Sequence, residues 1–437
     1  MSIEEIYRHF LSSNGVSIDS RTILENQLFF ALRGSRVASH TFAMDAIGKG
    51  ARLAIVDSGY SNDTDNIIVV NSTLETLQKL AAHHRDHLSI PLIGITGSVG
   101  KTTTKELIHS VLSTQYKTYC TQGNLNNHIG VPLSILAIPL EMELAIIEMG
   151  ANHIGEIESL CEIARPTHGL ITRIGKAHLE GFGSLEGVII AKSELYRFLQ
   201  KNKGTAFINE NDELLLAVSA GFEMEKIYIH ANLMTKLIES DPFLSIKVKR
   251  REESWSIINT RIPGNYNLPN IEAAICIGDY FKIPMDKIRL GIESFESNSN
   301  RSQWVNYQGN SFLLDAYNAN PVSMEASIKS FADITTTQKK VLILGEMREL
   351  GMDSAKEHQH ILDLINEYTW NQVILVGPLF SALTAIPGYL YFNEIAALTA
   401  WFENQKFTDT LFLIKGSRGV ALEKLFNKPV VNPGSSH

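Results

Sequence analysis

From Pro91 onward the chain alternates uninterrupted apolar runs, PLIGITG, ELAIIEMG and THGLITRIG, with stretches of helical periodicity. Runs that are apolar on both faces suit parallel strands buried between helix layers, so the pattern predicts a doubly wound α/β sheet. Farther along, VLILGEM, QVILVGP and TLFLIKGS repeat the alternation and predict a second α/β unit. Between the two lies SFESNSNRSQW, residues 294–304, polar and rich in turn formers, which reads as a linker. The first 85 residues mix short strand-like runs such as NIIVV with amphipathic segments and end near the charged stretch HHRDH, ahead of Pro91. The organisation expected is α/β in three domains: an N-terminal α/β domain over 1–85, a central doubly wound domain over 86–297 and a C-terminal Rossmann-like domain over 298–437. The closing NPGSSH reads as a frayed tail.

Length agrees with that division, since 437 residues with 44% hydrophobic content suit about three domains of ~150 residues each. Against 39 Lys plus Arg stand 47 Asp plus Glu, a net charge of −8. Such a balance offers no overall attraction to nucleic acid or to an anionic membrane, so any phosphate must be held locally. Cys120, Cys161 and Cys276 are far apart, without metal-type spacing, which fits a reducing compartment. The N-terminus lacks a basic region followed by an apolar run, and no apolar stretch approaches the ~18 residues of a membrane span. A soluble, cytoplasmic protein is expected.

The strongest chemical signal is GITGSVGKTTTKELIHSVL, where an apolar strand enters a glycine loop and then a helix. Gly97 and Gly100 let backbone N–H groups converge on phosphate oxygens, around Ser98, Val99 and Thr103. Lys101 supplies a point charge, and the Thr102 hydroxyl can ligate Mg²⁺. The strict G-x-x-x-x-G-K-[ST] spacing would put glycine at 95, where the chain has Ile95, so the loop is a variant. Glu148 closes the buried run LAIIEMG, at the strand end where open α/β sheets bind ligands. It suits a second metal ligand or a solvated rim position. His178 follows the run GLITRIG in a glycine-bearing loop, as a surface residue or a metal or catalytic one. Lys192 sits within the stripe of Val188, Leu195 and Leu199. A buried ammonium is costly, so this lysine is paired, neutral, snorkelling or chemically modified.

Several segments, in order along nearly the whole chain, resemble the Mur ligase family: TGSVGKTTTK, TQGNLNNHIGVPLSIL, EMGANHIGEI, and AHLEGFGS followed by AKSELY. The resemblance implies an ATP-driven amide ligase of peptidoglycan synthesis, with a central P-loop ATPase-like domain and a bacterial, cytoplasmic setting. It implies that Thr102, Glu148, His178 and Lys192 serve two Mg²⁺ ions, with Lys192 carbamylated, and that Asn267 and Asn270 meet adenine, with Tyr266 in place of a histidine common there. Arg301 and Asp315 would reach ATP from the third domain, where LGEMRELG and KGSRG, with Lys415 and Arg418, also look like the family. Ser20 and Arg21 match a uridine-diphosphate pocket; His40, whose preceding Ala38 and Ser39 depart from the family, is given no role. DAYNANPVSM stands where a sister ligase has an Asn-Pro-Arg signature. The implied substrates are therefore UDP-MurNAc-tripeptide and D-alanyl-D-alanine, with Asn126 and Asn127 as substrate contacts. The activation implied is an acyl phosphate on the tripeptide carboxylate, in a monomer whose third domain swings over ATP. The competing readings are addition of a single third amino acid, or a P-loop switch without ligation.

Overall fold

The computed structural model describes residues 1–33, 41–58, 64–251, 253–297 and 300–426. His40, the linker positions 298 and 299 and the tail 432–437 lie outside the described residues.

Four sheets organise the chain. The first is parallel throughout, with β1 (Val16–Ser17), β2 (Leu28–Phe30), β3 (Leu53–Asp57) and β4 (Ile67–Val70) in sequential order. Chain then leaves through the helix Thr73–Asp86, which packs against the helices Gly130–Leu136 and Glu156–Ala164. Its inner face, with Leu77, Leu80 and Ala81, joins one continuous apolar core with the second sheet's helices. The charged stretch at its end is partly interior. Arg85 is 6% exposed and gives its guanidinium to the carbonyls of Ala164 (3.0 Å), Ile90 (3.2 Å) and Arg165 (3.3 Å). Buried cations persist only when so satisfied, and here the charge staples the first domain to the second.

The second sheet holds β5 (Leu92–Thr96), β6 (Thr118–Cys120), β7 (Leu144–Glu148), β8 (His168–Ile171), β9 (Thr205–Ile208) and β10 (Glu225–Tyr228), all parallel, in the order β10-β9-β8-β5-β7-β6. Strand β5 is central, flanked by β7 and β8. Its neighbours lead away in opposite directions, so a crevice opens at the carboxyl ends of these three strands. Next comes a three-stranded antiparallel sheet, β11 (Leu233–Glu239), β12 (Phe243–Arg250) and β13 (Ser256–Pro263), which the apolar-run reading did not anticipate. Its signature is period two: Leu244, Ile246 and Val248 of β12 are buried against the helix Leu268–Tyr280, and the intervening residues face out.

The fourth sheet runs β14-β15-β19-β16-β17-β18 and comprises β14 (Gln303–Tyr307), β15 (Asn310–Asp315), β16 (Lys339–Gly345), β17 (Gln372–Val376), β18 (Leu390–Phe392) and β19 (Thr410–Lys415). Strand β14 is an antiparallel edge on an otherwise parallel sheet. The α/β class in three domains, with a doubly wound centre and a Rossmann-like third unit, is what the molecule has.

Candidate active site

Strand β5 ends at Thr96, and the glycine loop turns there into the helix Lys101–Leu112. That helix buries Leu107, Ile108, Val111 and Leu112, so its N-terminus is held at the crevice, where the helix dipole favours an anion. Ile95, where strict spacing asks for glycine, is an interior strand residue paired with Glu148 and Leu170. The tight turn falls instead at Gly97. With φ +146 there, a Cβ would stand 2.2 Å from the Thr172 hydroxyl oxygen, so only glycine lets the loop close on β8. The loop is also tied from behind. Thr172 Oγ1 donates to the Val99 carbonyl (2.6 Å), and Ser98 Oγ donates to the Gly175 carbonyl (2.9 Å).

Lys101 lies beside the loop with Nζ 2.6 Å from the Gly97 carbonyl oxygen. Burial pushes its amine below the usual lysine range, while the Glu148 carboxylate opposes that shift. Glu148, 2% exposed, is held at both oxygens: Oε2 accepts from Thr102 Oγ1 (2.9 Å), and Oε1 accepts from Asn126 Nδ2 (2.8 Å). A hydroxyl and a carboxylate meeting beside a phosphate loop form the hard oxygen set that Mg²⁺ takes. Asn127 uses its side-chain oxygen to accept from the backbone N–H groups of Ile129 (3.1 Å) and Gly130 (2.9 Å), closing the turn into the next helix.

The imidazole of His178 lies in an ion-pair contact with Glu349 of the third domain. Lys192 is 2% exposed, with Nζ 3.5 Å from the Ala151 carbonyl oxygen and 5.2 Å from the centre of the Phe182 ring. Burial, helped by the nearby Lys101 charge, brings its amine down to about 7. Among the described residues no three His, Cys, Asp or Glu side chains gather as a ready-made metal cluster. Glu148 and His178 line a common cavity of about 440 Å³ with Lys101, Thr102, Asn126 and Asn127, and Lys192 stands behind its wall.

Residues of the third domain line the same cavity, among them Arg301, Asp315 and Lys415. Asp315 Oδ2 accepts from Lys415 Nζ (2.6 Å) and from Ser327 Oγ (2.9 Å). Arg301 lies 3.5 Å above the centre of the Tyr317 ring, which fixes the plane of its guanidinium. At the seam, Tyr266 and Asn267 bond Ser302 (2.8 and 3.3 Å), Asn270 Nδ2 donates to Asn267 Oδ1 (2.9 Å), and Asn270 Oδ1 accepts from Thr104 Oγ1 (3.0 Å). Ser20 and Arg21 do not line this cavity. The Ser20 carbonyl accepts from Lys49 Nζ (3.0 Å), and Arg21 pairs with Asp19 (2.6 Å) on the surface of the first domain.

Two positioning residues escaped the sequence reading. Lys105, 1% exposed, donates to the Thr121 carbonyl (2.6 Å) and stands 3.9 Å from Glu148 Oε2; a lysine one turn beyond Lys101 carries no signal of burial by itself. Asn320 caps the helix Pro321–Asp333 and donates to the Ser98 carbonyl (3.4 Å), joining the third domain to the loop. Its signal was the Asn-Pro pair, a helix start.

Comparison with known proteins agrees along the chain. Three family models match: "Mur ligase family, catalytic domain" over residues 12–85, "Mur ligase middle domain" over 95–278 and "Mur ligase, glutamate ligase domain" over 300–418. The UDP-N-acetylmuramoyl-tripeptide--D-alanyl-D-alanine ligase of Bacillus subtilis (strain 168) is 34% identical, covering 96% of this chain and 94% of the relative. Its counterpart from Escherichia coli (strain K12) is 31% identical, covering 95% and 93%. The crystal structure of MurF from Acinetobacter baumannii superposes with a TM-score of 0.84 at 30% identity, covering 94% of this chain and 92% of that one. MurF ligase from Thermotoga maritima, in complex with ADP, gives 0.84 at 25% identity, covering 95% and 96%. With three matched domains, a phosphate loop facing an acidic strand end, and relatives matched over nearly their whole length, the chain belongs to the Mur ligase family.

Proposed function

We propose that the chain is an ATP-dependent ligase that joins D-alanyl-D-alanine to the terminal carboxylate of UDP-MurNAc-tripeptide, giving the pentapeptide precursor of peptidoglycan. The observation that carries this reading is the convergence of the glycine loop, Glu148 and third-domain Arg301, Asp315 and Lys415 on one cavity, in a chain matched end to end by ligases of that name. DAYNANPVSM favours the dipeptide over a single third amino acid, and the set Glu148, His178 and Lys192 favours ligation over a simple switch.

A carboxylate resists amide formation because oxide is a poor leaving group, so the tripeptide carboxylate must first be activated. Its oxygen attacks the γ-phosphorus of ATP, the bond to ADP breaks, and an acyl phosphate results. The amine of the dipeptide then attacks the carbonyl carbon, phosphate departs, and the nitrogen loses a proton. In this scheme the loop N–H groups and Lys101 hold the phosphates, a preorganised electrostatic role of the kind that dominates phosphoryl transfer. Thr102 would hold one Mg²⁺, and Glu148, His178 and carbamylated Lys192 would hold a second. Bound magnesium supplies positive charge against the phosphoryl oxygens. Asn267 and Asn270 face the adenine side, Arg301 and Asp315 close the site from the third domain, and Asn126, Asn127, Ser20 and Arg21 serve the precursor.

Carbamylation of Lys192 fits its surroundings. An amine held near 7 is about half uncharged at neutral pH, and only the uncharged form attacks CO₂, forming an N–C bond and releasing a proton. The carbamate would exchange a costly buried ammonium for a carboxylate beside the Lys101 charge. The function is tested by phosphate release with UDP-MurNAc-tripeptide, with and without D-alanyl-D-alanine. Release that requires both, with pentapeptide formed, is expected; equal ATP hydrolysis without either substrate would overturn the ligase reading.

A further inference from the structure

The outward face of the antiparallel sheet β11–β12–β13 breaks the usual rule for pairing charges. Lys236 of β11 stands directly opposite Lys247 of β12, a like-charge cross-strand pair that costs stability. Lys247, Lys249 and Lys236 all crowd the ring of Trp255, at 5.2, 5.2 and 5.7 Å from its centre. Among the described residues none of the three lysines has an acidic ion-pair partner, in a chain whose net charge is −8. Apolar side chains complete the face. Met234 pairs with Lys249 and Ile257 with Lys247, and they are 45% and 53% exposed, with Trp255 at 36%. The opposite face of the sheet is buried in the core, and none of these six residues lines the catalytic cavity.

Among the described residues the conflict has no counter-charge, which points to an anion supplied from outside. We propose that this face docks on the surface of an anionic phospholipid bilayer. Uncompensated lysines meet the headgroup phosphates, and their stems reach past the ring to keep the charge at headgroup level. Tryptophan sits at such interfaces by preference, apolar body inward and N–H outward. Met234 and Ile257 decide between a bilayer and a nucleic acid: exposed aliphatic side chains have an acyl-chain counterpart but none on a sugar–phosphate backbone. Because the rest of the molecule is acidic, docking is local, weak and salt-sensitive.

The test uses the full chain and sedimentation with vesicles of phosphatidylcholine alone, or of phosphatidylcholine and phosphatidylglycerol in equal amounts. Binding to the mixed vesicles only, weakened by salt, is expected. Lys247→Glu should lower that binding at least ~5-fold, while leaving ligase turnover unchanged and holding or raising the melting temperature, because Lys236 then faces an opposite charge. Trp255→Ala should weaken binding as well, with turnover intact. No vesicle binding, equal binding to both vesicles, or binding that survives Lys247→Glu overturns the proposal. Capture of poly-glutamate or a single-stranded oligonucleotide in place of the mixed vesicles overturns it too.

Discussion

Lys192 shows how burial converts an ordinary side chain into a chemical one. Its stem lies among apolar neighbours, and removal from water brings the amine to about 7, which makes CO₂ chemistry accessible. Lys192→Ala is expected to retain under about 1% of turnover and to recover partly with added short carboxylates; no recovery in the phosphate-release assay would count against carbamylation. Lys101→Ala should lower kcat by about 10²–10³ with little change in melting temperature, because Lys101 contacts a loop carbonyl and lines the cavity without supporting the core. A half-buried base acts on stability. His168 packs against Phe207, Tyr280 and Phe281, and burial brings its imidazole down to about 4. The unfolded chain therefore takes up a proton near pH 6.5 that the folded chain refuses until about 4. Stability present above pH 6.5 is lost as pH falls through that window, on the order of 2 kcal/mol. Chemical denaturation at pH 7 and pH 4.5 should show the difference shrink in His168→Phe. Of these three residues, Lys192 and Lys101 were legible in the sequence, one from its apolar stripe and the other from its loop. His168 was not, because its aromatic neighbours come from segments up to 113 positions away.

Elements carry the next level of information. Strand β5, the glycine loop and the helix after it follow from an apolar run, two glycines and a helical stripe, all local features. Period-two alternation in β12 was equally local, yet only Leu244, Ile246 and Val248 against the helix Leu268–Tyr280 make it a buried face. The helix Pro321–Asp333 shows how an element end becomes a joint. Asn320 accepts from the backbone N–H of Ser323 (2.9 Å) and also donates to the Ser98 carbonyl across the domain seam. Asn320→Ala should cost about 1 kcal/mol as a lost cap and raise KM for ATP, whereas Asn320→Asp should restore the stability but not the KM. Thermal melts and ATP titrations on the two variants separate the roles.

At the scale of the molecule, the third domain meets the second through scattered polar contacts and through an apolar cluster that takes in Ala319, Met324 and Ile328. Lys176 Nζ meets Glu357 (2.6 Å), the Glu180 N–H donates to the Glu349 carbonyl (3.2 Å), and His178 meets the Glu349 carboxylate. Relative motion of domains in one chain is the default expectation, and the docked arrangement should need ligand to dominate. Small-angle scattering is expected to show compaction when an ATP analogue and the tripeptide precursor are added together; an unchanged radius of gyration would argue against domain closure. The Arg85 staple, a buried cation satisfied across the other seam, predicts that the first and second domains melt together. By itself the sequence determined the α/β class, the phosphate loop and the acidic strand end, because hydrophobic period and glycine placement act over a few residues. Only tertiary structure decided that Asn126 orients Glu148, that Lys105 is buried and His168 half-buried, that His178 meets Glu349, and that Arg301 and Asp315 share a cavity with Lys101. Those relations join residues from different strands and domains, and their energies depend on burial and proximity that no local pattern encodes.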